Sequence, residues 1–365
     1  MQVKAAITRG AGQAFEIATL ELEPPRPDEV RVRIAAVGVC HTDLVARDGG
    51  MPMAFPAVFG HEGAGVVEAV GEAVTKVKAG DRVGITFRSC GTCARCQSGD
   101  PAYCYMMPAM NYIGSRLDGT KALSDDGAAV SSNFFGQSSF ATHALAYERN
   151  VVKLPDDIPF ELAAPLGCGI QTGAGGVMLA LEAEAGSAIL VTGGGAVGLA
   201  AIMGARIQGC STIIVLEPHA ARRQLALELG ATHALDPAGE ALPAAVRAIV
   251  PMGVDYAFDT TGRADVLSAI MGCLAPKGVL GVVGIPQPGT GLPGDMSAVL
   301  TFGQTVRGII EGDSDPDEFL PRLIDEWRAG NLPLEKLVKT YPFEAINDAI
   351  EAQHHGDCVK VVLTL

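Results

Sequence analysis

The sequence predicts an α/β protein in two parts, a β-rich domain followed by a doubly wound parallel sheet. Three observations carry this. Short strand-like runs separated by glycine-rich turns fill the first half. The second half opens with a strand, a Gly193-x-Gly195-x-x-Gly198 turn and a helix, in that order. Apolar strand segments then alternate with helical ones from about residue 170 to about residue 310, the pattern of parallel strands joined by crossover helices.

In the first half, Val30-Arg31-Val32-Arg33-Ile34 alternates apolar and charged residues, the period of a half-buried strand. The Pro- and Glu-rich stretch from Leu20 to Asp28 reads as the loop before it. The strand runs into Val37-Gly38-Val39-Cys40-His41-Thr42-Asp43. Further strands fit Gly63 to Ala69 and Arg82 to Phe87, with Lys78-Ala79-Gly80-Asp81 as the turn between them.

Length and composition bound the rest. At 365 residues the chain exceeds the ~150 of a typical domain, so two or three are expected. Apolar residues at 48% and charged ones at 19% make a globular profile. A net charge of -14 opposes nucleic acid or an anionic membrane as partner. Met1 to Ile7 lacks the apolar core of a signal peptide, and no apolar stretch reaches the ~20 residues of a membrane span. Nine cysteines without a secretion signal point to reduced thiols, a cytoplasmic location, and metal binding or catalysis before disulfides.

Cys90, Cys93, Cys96 and Cys104 form C-x2-C-x2-C-x7-C. Four thiolates so closely spaced can converge on one zinc, and with every position filled by sulfur that zinc would be structural. Two disulfides or unpaired thiols are the alternatives. Cys40 and Cys168 lie outside this cluster. Between them in sequence, Gly60-His61-Glu62-Gly63 holds two metal-competent side chains between glycines, before the β-type run Val66-Val67. Two cysteines and a histidine form one ligand set of a catalytic zinc, with the fourth position left for water or substrate. Against this, a His beside a Glu can be a hydrogen-bonded structural pair, and Cys168 an inert buried thiol. Cys210, Cys273 and Cys358 have no ligand-type neighbour in sequence and read as inert.

In the second half, Ser187 to Val191 is the strand before the glycine turn, and Leu199 to Ile207 the helix after it. Gly193 makes the turn, Gly195 lets a pyrophosphate approach, and Gly198 lets helix pack on strand. The phosphates would sit at the helix's positive N-terminus. The next strand, Thr212 to Leu216, ends in Glu217, placed to accept hydrogen bonds from a ribose and to repel a 2′-phosphate. This favours NAD over NADP, with Arg222 and Arg223 keeping NADP a minor alternative. The pattern continues through a helix at 220–229 and strands near 254–258, 278–285 and 305–310. Beyond it lie the acidic stretch Glu311-Gly312-Asp313-Ser314-Asp315 and a last strand, Cys358 to Leu365, expected to return to the first domain.

Together these features resemble the zinc-dependent medium-chain alcohol dehydrogenases over essentially the whole chain. Gly60-His61-Glu62-x2-Gly65-x5-Gly71-x2-Val74 looks like that family's zinc signature, and the four-cysteine lobe and cofactor fingerprint follow in the expected order. The resemblance implies a GroES-like catalytic domain, residues 1–169 and 311–365, and a Rossmann domain, residues 170–310. It implies two zinc ions per chain, with Cys40, His61 and Cys168 on the catalytic one, and NAD as cofactor. It also implies that Glu62 lies behind the metal, that Asp43 orients the ligand histidine, and that Thr42 takes the alcohol's proton. Thr172 and Val197 would pack beside the nicotinamide, Arg222 would meet the adenosine ribose, and His41 and Lys360 the pyrophosphate.

One position departs from the pattern. Well-known members carry a histidine, the end of a proton relay, where this chain has Val45, so the proton would leave through the cofactor ribose and water. Phe134-Phe135-Gly136-Gln137-Ser138-Ser139-Phe140-Ala141-Thr142 and Glu148-Arg149-Asn150-Val151-Val152 look most like the bacterial aryl-alcohol dehydrogenases. Benzyl-type alcohols are thus the expected substrates, with allylic terpene alcohols such as geraniol, or a broad range of primary alcohols, as the alternative. Phe134, Phe135 and Phe140 would either line an aromatic-accepting pocket or form plain core. By family analogy the partners are a small alcohol or aldehyde and further copies of the chain, in a dimer or tetramer. Two other readings compete: a zinc-free enone or quinone reductase, opposed by the ligand set, and a zinc-stabilised binding module, opposed by the acidic charge and the fingerprint.

Overall fold

A computed structural model describes all residues, Met1–Leu365. The chain divides into two units. The first comprises Met1–Cys168, Asp315–Asp325 and Leu334–Leu365, and the second Gly169–Ser314 and Glu326–Pro333.

The first unit is built on two sheets. One has the strand order Ala57–Val58, Gln2–Thr8, Glu16–Leu22, Leu123–Asp125, Ala128–Val130. The other runs Val151–Lys153, Arg82–Ile85, Gly63–Val70, Glu29–Gly38, Lys360–Thr364, Val338–Pro342, with His143–Tyr147 also paired to Glu29–Gly38. The alternation at 30–34 does what its period requires: Val30, Val32 and Ile34 are buried and Arg33 faces out. Glu29–Gly38 and Gly63–Val70 are antiparallel, with Val37 opposite Gly63. Cys40, just past the end of one strand, and His61, just before the start of the other, therefore leave the sheet at the same end.

The final strand does return here, pairing antiparallel with Glu29–Gly38. The loop expected from Leu20 starts later, because Leu20 and Leu22 bury at 1% and 3% exposure and carry their strand to Leu22.

The second unit holds a six-stranded, all-parallel sheet. Its strand order is His233–Leu235, Thr212–Leu216, Ala188–Thr192, Val254–Asp259, Leu274–Val282, Thr305–Gly308. Numbered along the chain this is 3-2-1-4-5-6, the doubly wound order that binds dinucleotides where the order reverses. The fifth strand begins at Leu274 rather than near Gly278, because a register shift lets Leu274 pair with Val254 before the regular ladder resumes. The returning segment begins at Asp315 rather than at Glu311, since Glu311–Ser314 packs within this second unit. No single helix in the chain is long and apolar enough to cross a membrane.

Candidate active site

Sequence neighbours set the first half of the site. Cys40 N-caps the short helix His41–Arg47, and its backbone N–H donates to Asp43 Oδ2 at 3.0 Å. Asp43 is fully buried, and its other oxygen, Oδ1, accepts from Gly60 N at 3.0 Å and lies 2.7 Å from His61 Nδ1. That bond commits Nδ1 and aims Nε2 the other way, as a metal-ligating histidine requires. Gln137 clamps the same stretch, donating to His61 O at 2.9 Å and accepting from Gly63 N at 3.1 Å. The ring of Phe135 stacks on the imidazole at 4.4 Å and 21°, with Phe134 edge-on at 5.5 Å. Cys168 is delivered by a loop whose Gly167 carbonyl accepts from Thr86 Oγ1 at 2.7 Å.

The result is convergence. One ligand atom each from Cys40, His61, Glu62 and Cys168 lies within 4.8 Å of the others, and all but Cys40 are buried. His61 Nε2 is buried and makes no ordinary hydrogen bond, an orphan that a metal would satisfy. The adjoining Cys168, and then His61, hold the Cys40 thiol well below its usual range against the effect of burial, favouring the thiolate that binds zinc. The donor set fits zinc.

Glu62 turns to a different neighbour. Its carboxylate lies 2.5 Å from the ammonium of Lys360, which also donates to Val39 O at 3.1 Å. Burial pushes the Glu62 carboxyl up, against the opposing pull of Lys360. Lys360 is 2% exposed. Lys360, read from the sequence as a pyrophosphate contact, thus sits directly behind the metal ligands, paired with Glu62. Thr42 Oγ1 lies 3.6 Å from Cys40 Sγ. His41 is exposed on the first turn of its helix, and Val45 is half-buried on the next.

The four-cysteine lobe is closed on itself. Sγ separations are 3.9 Å for Cys90–Cys96, 3.6 Å for Cys93–Cys96 and 4.0 Å for Cys93–Cys104. Four Zn–S bonds of ~2.3 Å in a tetrahedron place sulfurs about 3.8 Å apart. Backbone amides of Cys93 and Met106 point at Cys90 and Cys104 sulfurs, at 3.3 and 3.4 Å. Against burial, the Thr92 and Cys93 amides hold the Cys90 thiol down at about 6. All nine cysteines are free, so the disulfide alternative fails.

In the second unit the glycine turn leads into the helix Ala196–Gln208. A Cβ on Gly198 would lie 1.8 Å from Gly193 O, so only glycine lets the helix sit this close, whereas space is open around Gly195 where a phosphate would approach. Val197 lies on the first turn of the same helix. Glu217 is 3% exposed and accepts from Gly194 N at 2.6 Å and His219 N at 2.8 Å. Arg223 is spent on Asp236 at 2.9 Å and on the carbonyls of Glu217 and Pro218. Arg222 is half-buried on the helix Ala220–Leu229. Thr172 is 8% exposed on the helix Gly169–Gly175.

Three residues at these sites escape the sequence reading: Gln137, Phe135 in its role against His61, and Glu311, bonded to Gln171 and Thr172. A signal existed for Gln137, since a glutamine inside a Phe-rich apolar run must find partners when buried.

Residues 26–156 match the family model described as the alcohol dehydrogenase GroES-like domain, and residues 196–326 the one described as zinc-binding dehydrogenase. A geraniol dehydrogenase of Castellaniella defragrans is 47% identical over 365 residues, covering 100% of this chain and 98% of that protein. The crystal structure of an alcohol dehydrogenase zinc-binding domain protein from Burkholderia ambifaria matches with a TM-score of 0.98 at 47% identity, over 100% of this chain and 99% of that one. The benzyl alcohol dehydrogenase from Acinetobacter calcoaceticus matches with a TM-score of 0.96 at 40% identity, over the same shares. With its domain pair, ligand set and full-length relatives in agreement, the chain belongs to the zinc-dependent medium-chain alcohol dehydrogenase family.

Proposed function

We propose that this enzyme interconverts primary benzyl-type alcohols and their aldehydes with NAD, using one catalytic and one structural zinc per chain. The observation that carries the reading is the convergence of Cys40, His61 and Cys168 within 4.8 Å, three donors that leave a fourth position for an alcohol oxygen. When bound, zinc would supply a Lewis acid that lowers the pKa of the alcohol's hydroxyl, and NAD a hydride acceptor.

This chain's residues do the rest. Cys40, Cys168 and His61 Nε2 hold the metal, and Asp43 fixes the His61 tautomer so that Nε2 keeps its lone pair. Thr42 accepts the alcohol's proton. Val45 has no group that can relay a proton, so the relay among this chain's own residues ends at Thr42. Lys360 holds the Glu62 carboxylate to itself, leaving the two thiolates and the imidazole as the ligand set. Cys90, Cys93, Cys96 and Cys104 hold the second zinc, closed to substrate. His41, Val197, Thr172, Arg222 and Lys360 contribute to the cofactor site. Glu217 takes the ribose hydroxyls, and the engagement of Arg223 with Asp236 favours NAD over NADP.

Phe135 supports an aromatic substrate, because its ring stacks on the ligand histidine, whereas Phe134 and Phe140 are fully buried, against Phe59 and Phe15, and belong to the core. The geraniol dehydrogenase relative favours a second reading, an allylic terpene alcohol. Both classes have an sp2 carbon beside the carbinol carbon, and a substrate panel separates them. At fixed NAD and then NADP, kcat/KM is expected to be highest for benzyl alcohol with NAD. A higher value for geraniol moves the assignment to the second reading, and a preference for short aliphatic alcohols removes both.

Six of the nine cysteines are ligands in this reading, which suits the reducing cytoplasm. We also assign a homodimer or homotetramer. The edge strand Thr305–Gly308 and the neighbouring Leu292, Met296 and Leu300, each more than three-quarters exposed, offer the surface for it.

A further inference from the structure

Glu311 is a buried carboxylate that the mechanism above does not use. It is 7% exposed and begins a turn of three successive left-handed residues: Glu311 at φ 51°, Gly312 at φ 68° and Asp313 at φ 54°. Two of the three carry side chains, and left-handed backbone at such residues persists only where the surroundings enforce it.

Here they do. A Cβ on Gly312 would lie 2.3 Å from Gln171 O and 2.9 Å from Gly175 Cα, so the turn sits directly on the helix Gly169–Gly175. The Ser314 hydroxyl donates to Glu311 O at 2.7 Å, and Arg307 pairs with Asp313 at 2.8 Å. The turn thereby brings Glu311 Oε2 to 3.1 Å from Gln171 Nε2 and 3.4 Å from Thr172 Oγ1. Both of these groups donate to it. Strain and burial are thus spent on setting the Glu311 carboxyl group against the face of the helix that carries Thr172.

We propose that Glu311 is a positioning and charge-setting residue of the cofactor site: it anchors Thr172, and its charge favours the oxidised, cationic nicotinamide over the reduced, neutral one. The inference rests on the reading of Thr172 as a nicotinamide contact. The two cofactor states differ by one positive charge on the ring, so a nearby fixed carboxylate discriminates between them, whereas packing alone does not. Glu311 therefore lowers the Kd for NAD relative to that for NADH and draws the equilibrium between bound species toward alcohol and NAD.

The test is cofactor binding to the zinc-loaded, full-length protein, with NADH followed by fluorescence and NAD by calorimetry at low ionic strength. Glu311→Gln is expected to weaken NAD by about tenfold and NADH by less than about threefold. Glu311→Asp keeps the charge and is expected to hold the ratio of the two Kd values within about threefold of the parent's. Equal weakening of both cofactors by Glu311→Gln, or no change in either, overturns the proposal. So does a tenfold change of ratio in Glu311→Asp, the decisive variant if the glutamine form does not fold. Thr172→Val reports on the underlying reading: unchanged affinity for both cofactors shows that Thr172 is no cofactor contact, and the proposal falls with it.

Discussion

His61 and Asp43 are joined by a 2.7 Å bond in which both side chains are fully buried. The Asp43 carboxylate also accepts the amides of Cys40 and Gly60, so one side chain fixes the tautomer of one ligand and the backbone beside another. Removing it loosens two ligands at once. Asp43→Asn should lower zinc affinity at this site by about 10- to 100-fold, the range for partners behind a metal-bound histidine. Chelator competition measures it, and an unchanged affinity would show that the histidine needs no such support.

Lys360 and Glu62 make the second prediction. Breaking a buried ion pair from one side leaves an uncompensated charge, which costs about 3–5 kcal/mol. Lys360→Met should therefore lower the urea midpoint markedly, and adding Glu62→Gln should recover much of the loss. NADH affinity should also fall, since Lys360 is read as a pyrophosphate contact as well. A Lys360→Met protein that binds NADH as tightly as the parent would remove the pyrophosphate role.

The four-cysteine lobe has a separate fate. Cys93→Ser should release the structural zinc, take the metal content from two ions per chain toward one, and lower Tm by several degrees. Benzyl alcohol oxidation should persist below that lowered Tm. Metal analysis beside a thermal melt reads both effects, and full zinc retention would remove Cys93 from the ligand set.

Glu217 sets the cofactor prediction. Its carboxylate is held by the amides of Gly194 and His219, and in the proposed cofactor site it would repel a 2′-phosphate. Glu217→Ala should raise the ratio of kcat/KM for NADP over NAD by about tenfold or more, mostly through KM. An unaltered ratio would place the ribose elsewhere.

What could be read from the chain depended on how locally each feature is encoded. The C-x2-C-x2-C-x7-C lobe and the glycine turn were legible because their residues are close in sequence, and spacing alone fixes their geometry. The strands at 30–34 and 212–216 were legible because burial of one or both faces writes itself into the apolar pattern. The resemblance implied the Cys40–His61 approach, and the pairing of Val37 with Gly63 supplies it. The pairing of Lys360 with Glu62 was not legible, because its buried partner is brought to it only when the last strand joins Glu29–Gly38. Glu311 was passed over as the edge of an acidic stretch, since nothing in a linear run of acids tells a solvated carboxylate from one turned inward by left-handed backbone.

Cys40 provides the activity test of the catalytic zinc. Cys40→Ser should abolish alcohol oxidation while far-UV circular dichroism and Tm stay close to the parent's. Its ligand role, unlike that of Cys93, supports chemistry more than folding. Retained turnover would contradict the assignment.

The most direct measurement is anomalous diffraction at the zinc edge from crystals of the active enzyme. The account predicts a peak bonded to Cys40 Sγ and Cys168 Sγ at ~2.3 Å and to His61 Nε2 at ~2.0–2.1 Å. A fully active enzyme with no zinc peak among these three atoms would contradict it.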